Sequence, residues 1–251
     1  MIERTFDLVT RNGATADLAM ETFLVHPERG GPHPAVFLLM DAPGIREELR
    51  DMARRLATVG YCVLLPNLYY HAGRNSVFGP EVLTHGSAEH AKMRAIRTKM
   101  TIPPVMADIG AMLDWIATEP AAKAGPVGCH GYCMSGPYAL AAAARFPDRI
   151  AACASFYGTW LVSEAEASPH LSFARTRGEH YIACAEHDEL APPAMVAELR
   201  EHFARSGATG EIEFYPAVHH GFAFPGRWCY DKPAAERHWE RLIALYHRRL
   251  G

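Results

Sequence analysis

Apolar and polar residues follow different periods in successive segments of the chain. Residues 4–10 and 16–25 alternate between apolar and polar positions around Asn12-Gly13, which predicts an N-terminal β-hairpin. Several later segments are continuous apolar runs, the pattern of strands that are buried on both faces. These predicted strands cover residues 35–40, 61–65, 126–130, 150–157 and 181–185, and a further strand is predicted over residues 212–215.

Helices are predicted between these strands because apolar residues recur there at intervals of three and four positions. They cover residues 46–59, 105–118, 135–145, 193–206 and 233–250. Strands that alternate with helices indicate an α/β fold, with a mainly parallel central sheet and helices on both faces. We interpret residues 1–251 as one domain. Within it, residues 67–100 have weak periodicity and favour a lid or binding loop.

The composition of the chain indicates which binding partners and which cellular compartment to expect. Of the 251 residues, 49% are hydrophobic and 21% are charged, and the net charge is −3, so no basic field favours nucleic acid. We expect no secretory signal and no membrane segment, because no apolar run approaches the ~20 residues that a membrane helix needs. Most of the six cysteines lie in apolar runs, which favours a reduced, cytoplasmic protein. The sequence does not predict an oligomeric state.

The segment Gly131-Tyr132-Cys133-Met134-Ser135-Gly136 joins a predicted strand to an Ala-rich helix and is typical of a nucleophile elbow. Cys133 takes the usual position of serine, and Ser135 replaces the second glycine of the pattern. The start of a helix favours a thiolate through its free N–H groups. We therefore interpret Cys133 as a nucleophile. The alternatives are a core cysteine or, together with Cys129-His130, a metal ligand.

Three chemically useful side chains follow later strand ends in the order nucleophile, acid, histidine. Cys133, Asp188 and His220 have the chain order of an α/β-hydrolase triad. His220 is preferred to the adjacent His219 because Gly221-Phe222 follows it. Asp188 has an alternative role as a helix cap before Pro192.

The sequence resembles the dienelactone hydrolase family of α/β-hydrolases from about residue 16 onward. The most specific match is the Cys-centred elbow at residues 131–136. The remaining matches are His187-Asp188, Tyr215-Pro216 leading to His220-Gly221-Phe222, Pro66-Asn67-Leu68-Tyr69 and Ser155-Phe156-Tyr157-Gly158.

The resemblance implies that an ester or lactone is hydrolysed through an acyl-thiol intermediate, without a metal or other cofactor. In that reaction His220 takes and returns the proton, and the N–H groups of Met134 and Ala42 form the oxyanion hole. Asp41 stands where the family has a glutamate that modulates the thiol, although Asp41 could equally cap the helix that begins near Arg46.

Two positions depart from the family pattern for binding a substrate carboxylate. His71 and Phe224 replace two arginines, and Arg74 is a candidate for partial compensation. We therefore expect a small, less charged ester or lactone rather than the dicarboxylate-like dienelactone. The candidate substrate-binding residues are Tyr69, Tyr70, His71, Arg74, Phe222 and Phe224.

Two other functions fit the same sequence. One is a thioesterase or acyl transferase on the same fold. The other is a non-catalytic module that binds a ligand or senses redox state through Cys133.

Overall fold

The computed structural model describes residues 1–11, 17–74 and 76–251. The chain divides into two compact units, residues 1–125 and 126–251, and the single domain over 1–251 stays a prediction. The predicted hairpin turn at Asn12-Gly13 lies outside the described residues. None of the described helices combines the length and apolar composition that a membrane crossing requires.

The first unit contains four strands and three α-helices among its described residues. They are β1 (Ile2–Thr10), β2 (Leu18–His26), β3 (Ala35–Leu39), α1 (Glu47–Thr58), β4 (Cys62–Pro66), α2 (Ala88–Arg97) and α3 (Ile102–Ile116). Within this unit the strands lie in the order β1-β2-β4-β3. β1–β2 and β2–β4 pair antiparallel, and β3–β4 pair parallel. Every residue of β3 and β4 is buried, as their continuous apolar runs predict.

The second unit contains four strands and three α-helices, all of them described. They are β5 (Val127–Tyr132), α4 (Gly136–Arg145), β6 (Ile150–Phe156), β7 (Glu179–His187), α5 (Pro193–Ser206), β8 (Thr209–His219) and α6 (Lys232–Leu250). The strands lie in chain order, and every neighbouring pair is parallel. Both α4 and α6 pack on β5 and β6, which are almost entirely buried. The predicted mainly parallel α/β architecture is therefore confirmed.

Residues 67–100, for which the sequence favours a lid or binding loop, contain helical structure. The segment contains α2 and two short 3-10 turns, Tyr70–Ala72 and Pro80–Leu83. Among the residues of α2 only Met93 is buried, so the sequence lacks the apolar stripe that normally reveals a helix. Ser87 caps the start of this helix, and its hydroxyl accepts a hydrogen bond from the His90 N–H at 3.0 Å. The sequence pattern thus does not reveal α2, and the role of the segment as a lid or binding loop stays a prediction.

The strand predicted at 212–215 is also longer in the structure. β8 continues through Pro216 to His219. Its pairing with β7 shifts register between Ala185 and His187, as at a β-bulge, and then resumes. Ala217 adopts a positive φ of 58°, and its N–H donates to Glu186 Oε2 at 2.6 Å. This extension brings His219 level with His187 at the ends of two neighbouring strands.

Candidate active site

Four parallel strands of the second unit end at the same edge, and the chain continues from each with a side chain of interest. The residues that follow β5, β6, β7 and β8 are Cys133, Tyr157, Asp188 and His220. Parallel strands place their carboxyl ends together, which is where sites form in α/β sheets. The candidate triad therefore belongs to one structural unit.

Cys133 occupies a sharp turn between β5 and α4. Its φ of 54° lies in the left-handed region, which is strained for a residue with a side chain. Its side chain is largely buried, and its carbonyl accepts a hydrogen bond from the Thr159 N–H at 3.2 Å. The local fold has the geometry of a nucleophile elbow, in which strain presents one side chain at the start of a helix.

The glycines around the elbow are required by close packing. A Cβ at Gly131 would lie 2.2 Å from the backbone oxygen of Ser135, and one at Gly136 would lie 2.4 Å from Ser155 Oγ. Both distances are far below van der Waals contact, so these two positions exclude any side chain. The sequence pattern around Cys133 is thus explained by the approach of the strand and the helix.

His220 and Asp188 form a close pair beside the elbow. His220 Nδ1 lies 2.7 Å from Asp188 Oδ2, and the Asp188 side chain has no solvent exposure. The other carboxylate oxygen, Oδ1, accepts from the Leu190 N–H at 2.9 Å. Because a carboxylate accepts, His220 carries a proton on Nδ1, and its Nε2 is left for exchange with a reacting group.

The protonation of His220 is governed by its neighbours. Burial lowers its pKa, but attraction to Cys133 and the hydrogen bond with Asp188 outweigh burial and raise the pKa to about 10. The attraction acts on both partners, so a positive His220 favours the negative form of the Cys133 thiol. A thiol and a histidine arranged in this way are compatible with a nucleophile and its proton carrier.

The structure separates His220 from the adjacent His219. The His219 side chain is exposed, with its ring centroid 4.7 Å from that of His187 and 5.0 Å from that of Trp228. Asp188 also does not cap α5, because Pro192 occupies the cap position without a side-chain hydrogen bond. Asp188 therefore pairs with His220.

Asp41 and Ala42 lie in the first unit. The Asp41 carboxylate is fully buried and receives both arms of Arg46, at 2.6 Å from Nη1 and 3.3 Å from Nη2. It does not cap α1, since Arg46 holds the cap position. The Ala42 carbonyl accepts from the Tyr69 hydroxyl at 2.7 Å. The predicted roles of Asp41 as a modulating acid and Ala42 in the oxyanion hole stay predictions.

The candidate substrate-binding residues of the first unit already have partners. Tyr69 is fully buried, and the Tyr70 hydroxyl donates to Asp108 Oδ1 at 2.9 Å. His71 is exposed and lies against the Tyr70 ring, 4.1 Å between centroids. Exposed Arg74 binds Asp7 of β1 at 2.6 Å and Glu21 of β2 at 3.2 Å. Acidic groups of the hairpin thus compete with any substrate carboxylate for Arg74.

Phe222 and Phe224 are fully buried in the second unit. Phe222 stacks on Tyr215 with a centroid distance of 5.0 Å. Phe224 packs edge-on against Tyr132, the residue before the candidate nucleophile, at 5.3 Å. Both phenylalanines therefore have packing roles, and their predicted contact with substrate stays a prediction.

Two contacts of the site were not predicted from the sequence. The Tyr132 hydroxyl lies 2.8 Å from His238 Nε2 in α6, and Cys229 Sγ lies 3.1 Å from the carbonyl oxygen of His220. The first joins residues 106 positions apart, and the second spans nine residues of a loop without a periodic pattern, so no local pattern indicates either contact. Across the described ranges, no group of three or more His, Cys, Asp or Glu side chains could hold a metal ion.

Comparison with known proteins gives consistent matches along almost the whole chain. The model of the dienelactone hydrolase family matches residues 20–250. A Synechocystis protein provisionally named carboxymethylenebutenolidase is 25% identical over 241 residues, covering 93% of this chain and 94% of the relative. An Escherichia coli relative with the same provisional name is 26% identical over 233 residues, covering 90% and 82%.

A solved structure also matches the full length. A Klebsiella pneumoniae protein provisionally named a dienelactone hydrolase has a TM-score of 0.83 and 23% identity, and the match covers 98% of each chain. The predicted α/β-hydrolase fold is confirmed by this likeness.

Proposed function

Because the chain belongs to the dienelactone hydrolase family and is an ester or lactone hydrolase, we propose that it acts through Cys133, His220 and Asp188. The arrangement around His220 carries this proposal. His220 Nδ1 donates to the buried Asp188 carboxylate at 2.7 Å, and attraction to Cys133 together with this hydrogen bond raises the pKa of His220 to about 10 against the effect of burial. A histidine so placed can hold and release the proton that thiol catalysis requires.

In the first half of the proposed reaction the Cys133 thiolate attacks the substrate carbonyl carbon. A C–S bond forms, and the electron pair of the C=O bond moves to the oxygen. The Met134 N–H, in the short 3-10 turn Cys133–Ser135 that leads into α4, is the proposed donor to this oxyanion. When the oxyanion collapses, the C–O bond to the leaving group breaks and His220 Nε2 supplies the proton that makes it an alcohol.

In the second half water releases the acyl group from Cys133. His220, now neutral, accepts a proton from water through Nε2, and the hydroxide formed attacks the acyl carbon. The C–S bond breaks, the carboxylic acid leaves, and the thiolate–imidazolium pair is restored. Asp188 stabilises the charged ring and fixes its orientation in both halves, and the Leu190 N–H holds Asp188 in place.

We propose a neutral or weakly charged small ester or lactone as the substrate. His71 and Phe224 supply no guanidinium at the two positions where the resemblance places arginines. Arg74 is engaged by Asp7 and Glu21, so its charge is largely compensated. Recognition of a substrate carboxylate would have to break those ion pairs, which favours substrates without one.

A panel of neutral and carboxylate-bearing esters and lactones tests this proposal. Wild type should hydrolyse the neutral compounds faster, and Cys133→Ala should lose nearly all activity. Cys62→Ala, a substitution of another buried cysteine in β4, is the matched control and should remain active. Full activity in Cys133→Ala, or fast hydrolysis of dienelactone that is lost in Arg74→Gln, would contradict the proposal.

We also propose a reducing, cytoplasmic location. All six cysteines are free and buried, an arrangement expected where thiols stay reduced. An enzyme that loses activity when dithiothreitol is added would contradict this part of the proposal.

A further inference from the structure

Cys229 lies in the loop between β8 and α6, close to the backbone of the proposed base. Its side chain is buried, and its Sγ donates a hydrogen bond to the carbonyl oxygen of His220 at 3.1 Å. Cys229 is nine positions from His220 in sequence. This contact therefore holds the part of the loop near α6 against His220, the residue that follows β8.

The same loop is held close to His220 at further points. Gly221 has a positive φ of 91°, and a Cβ there would lie 3.3 Å from Cys229 Sγ and 2.5 Å from an Arg227 nitrogen. The Asp231 N–H donates to the carbonyl oxygen of Phe222 at 3.1 Å. Cys229 thus packs tightly on the turn that carries His220, and its thiol donates to the His220 carbonyl.

We propose that Cys229 is a positioning residue for His220. Its hydrogen bond fixes the His220 backbone so that the imidazole faces Asp188 and Cys133 together. This inference rests on the proposed function, in which His220 carries the proton. In this role Cys229 acts through the His220 backbone.

The chemistry of a buried thiol suits this task. Burial raises the pKa of Cys229, partly offset by Arg227, so the thiol keeps the proton that it donates. A thiol is a weak donor that also packs as a small apolar group, which fits a site pressed against Gly221. Loss of one such bond should change a rate by about fivefold rather than abolish it.

The test compares Cys229→Ala, which removes the donor, with Cys229→Ser, which keeps one. The primary measurement is the rate of Cys133 alkylation by iodoacetamide across pH, located by peptide mass spectrometry. A poorly oriented His220 stabilises the thiolate less. The midpoint of the alkylation rate plotted against pH should therefore move to higher pH in Cys229→Ala and return toward the wild-type value in Cys229→Ser. We also expect kcat to fall about fivefold in Cys229→Ala with KM changed less than about twofold.

An unchanged alkylation profile in folded Cys229→Ala overturns the inference, whatever its thermal stability. If Cys229→Ala does not fold, Cys229→Val fills the space without a donor and replaces it in the comparison. Alkylation needs no ester turnover, so a shifted profile in an enzyme without esterase activity rejects the proposed function and leaves the positioning role standing. Cys62→Ala controls for general effects of removing a buried cysteine.

Discussion

Asp41 and Asp188 are two buried carboxylates that follow parallel strands, yet their surroundings differ. Asp41 comes after β3 and is bound by both arms of the Arg46 guanidinium. Asp188 comes after β7 and is bound by the imidazole of His220 and by a backbone N–H. Neither side chain is exposed to solvent. The difference between the two sites therefore lies in the partner that each acid receives.

The partner decides which chemistry each acid can support. A guanidinium stays charged at any accessible pH, so the Asp41–Arg46 pair holds a fixed charge and a fixed shape. An imidazole can gain and lose a proton, so the Asp188–His220 pair can take part in proton transfer. The comparison therefore supports the proposed catalytic role of Asp188, and the modulating role of Asp41 stays a prediction.

Among the substitutions that distinguish these two sites, Asp188→Asn should have the largest effect, which is on activity. The amide no longer stabilises a positive His220, so the pKa of His220 should fall from about 10 and kcat should fall about 10³–10⁴-fold. Steady-state hydrolysis of a neutral ester measures kcat, and NMR titration of the His220 ring measures the pKa. Asp41→Asn is the matched variant. An equal loss of kcat in both folded proteins would contradict the proposed difference between the roles of Asp188 and Asp41.

Arg46→Gln should act on stability. It leaves the Asp41 carboxylate buried without its guanidinium partner, so the free energy of unfolding should fall by about 3 kcal/mol. Urea denaturation checks this value, and Arg46→Lys should recover only part of the loss because the two-armed geometry is gone. An Arg46→Gln protein of wild-type stability would show that the ion pair contributes nothing measurable.

Asp108 in α3 extends the comparison to an acid with neutral partners. Its Oδ1 accepts from the hydroxyls of Thr10 and Tyr70, at 2.7 and 2.9 Å. Burial raises its pKa from 3.8 to about 6, because those hydrogen bonds offset only part of the cost of a buried charge. The folded protein therefore holds this proton in a pH range where the unfolded chain has released it.

The raised pKa of Asp108 makes stability depend on pH. The contribution is present below about pH 4 and is lost as pH rises through about 6, which amounts to about 2–3 kcal/mol. Asp108→Asn keeps the shape without the charge, so the difference in unfolding free energy between variant and wild type should grow in the variant's favour across this range. Urea denaturation at several pH values measures it. A difference that does not vary with pH would contradict the assignment.

Tyr69→Phe should have the smallest effect. It removes the hydroxyl that donates to the Ala42 carbonyl beside Asp41, so unfolding should require about 1 kcal/mol less free energy. Urea denaturation and kcat should be measured together. A large loss of kcat without this loss of stability would show that the first unit influences catalysis more than the comparison allows.

The sequence predicts the features that depend on local pattern. The apolar runs of β3 to β7 reveal buried strands, and the spacing of small residues around Cys133 reveals the elbow. The order of Cys133, Asp188 and His220 indicates a triad because parallel strands bring their ends together. Helix α2 escapes prediction because Met93 alone is buried among its residues.

Features that depend on tertiary contact could not be predicted. The Tyr132–His238 bond joins residues 106 positions apart, and no pattern indicates that Cys229 meets the His220 carbonyl. Arg46 is near Asp41 in sequence, but capping and ion pairing are both compatible with that spacing. The burial of Phe222 and Phe224 likewise follows from how β8 and the loop after it fold onto the elbow.

The formation of an acyl-enzyme on Cys133 tests the central claim most directly. Wild type is mixed with an activated neutral ester such as p-nitrophenyl acetate, quenched at short times and examined by intact and peptide mass spectrometry. We predict one acyl group per chain, located on Cys133, that forms in a burst and is absent from Cys133→Ala. Turnover without a Cys133-bound acyl group, or a burst of equal size in Cys133→Ala, would contradict the account.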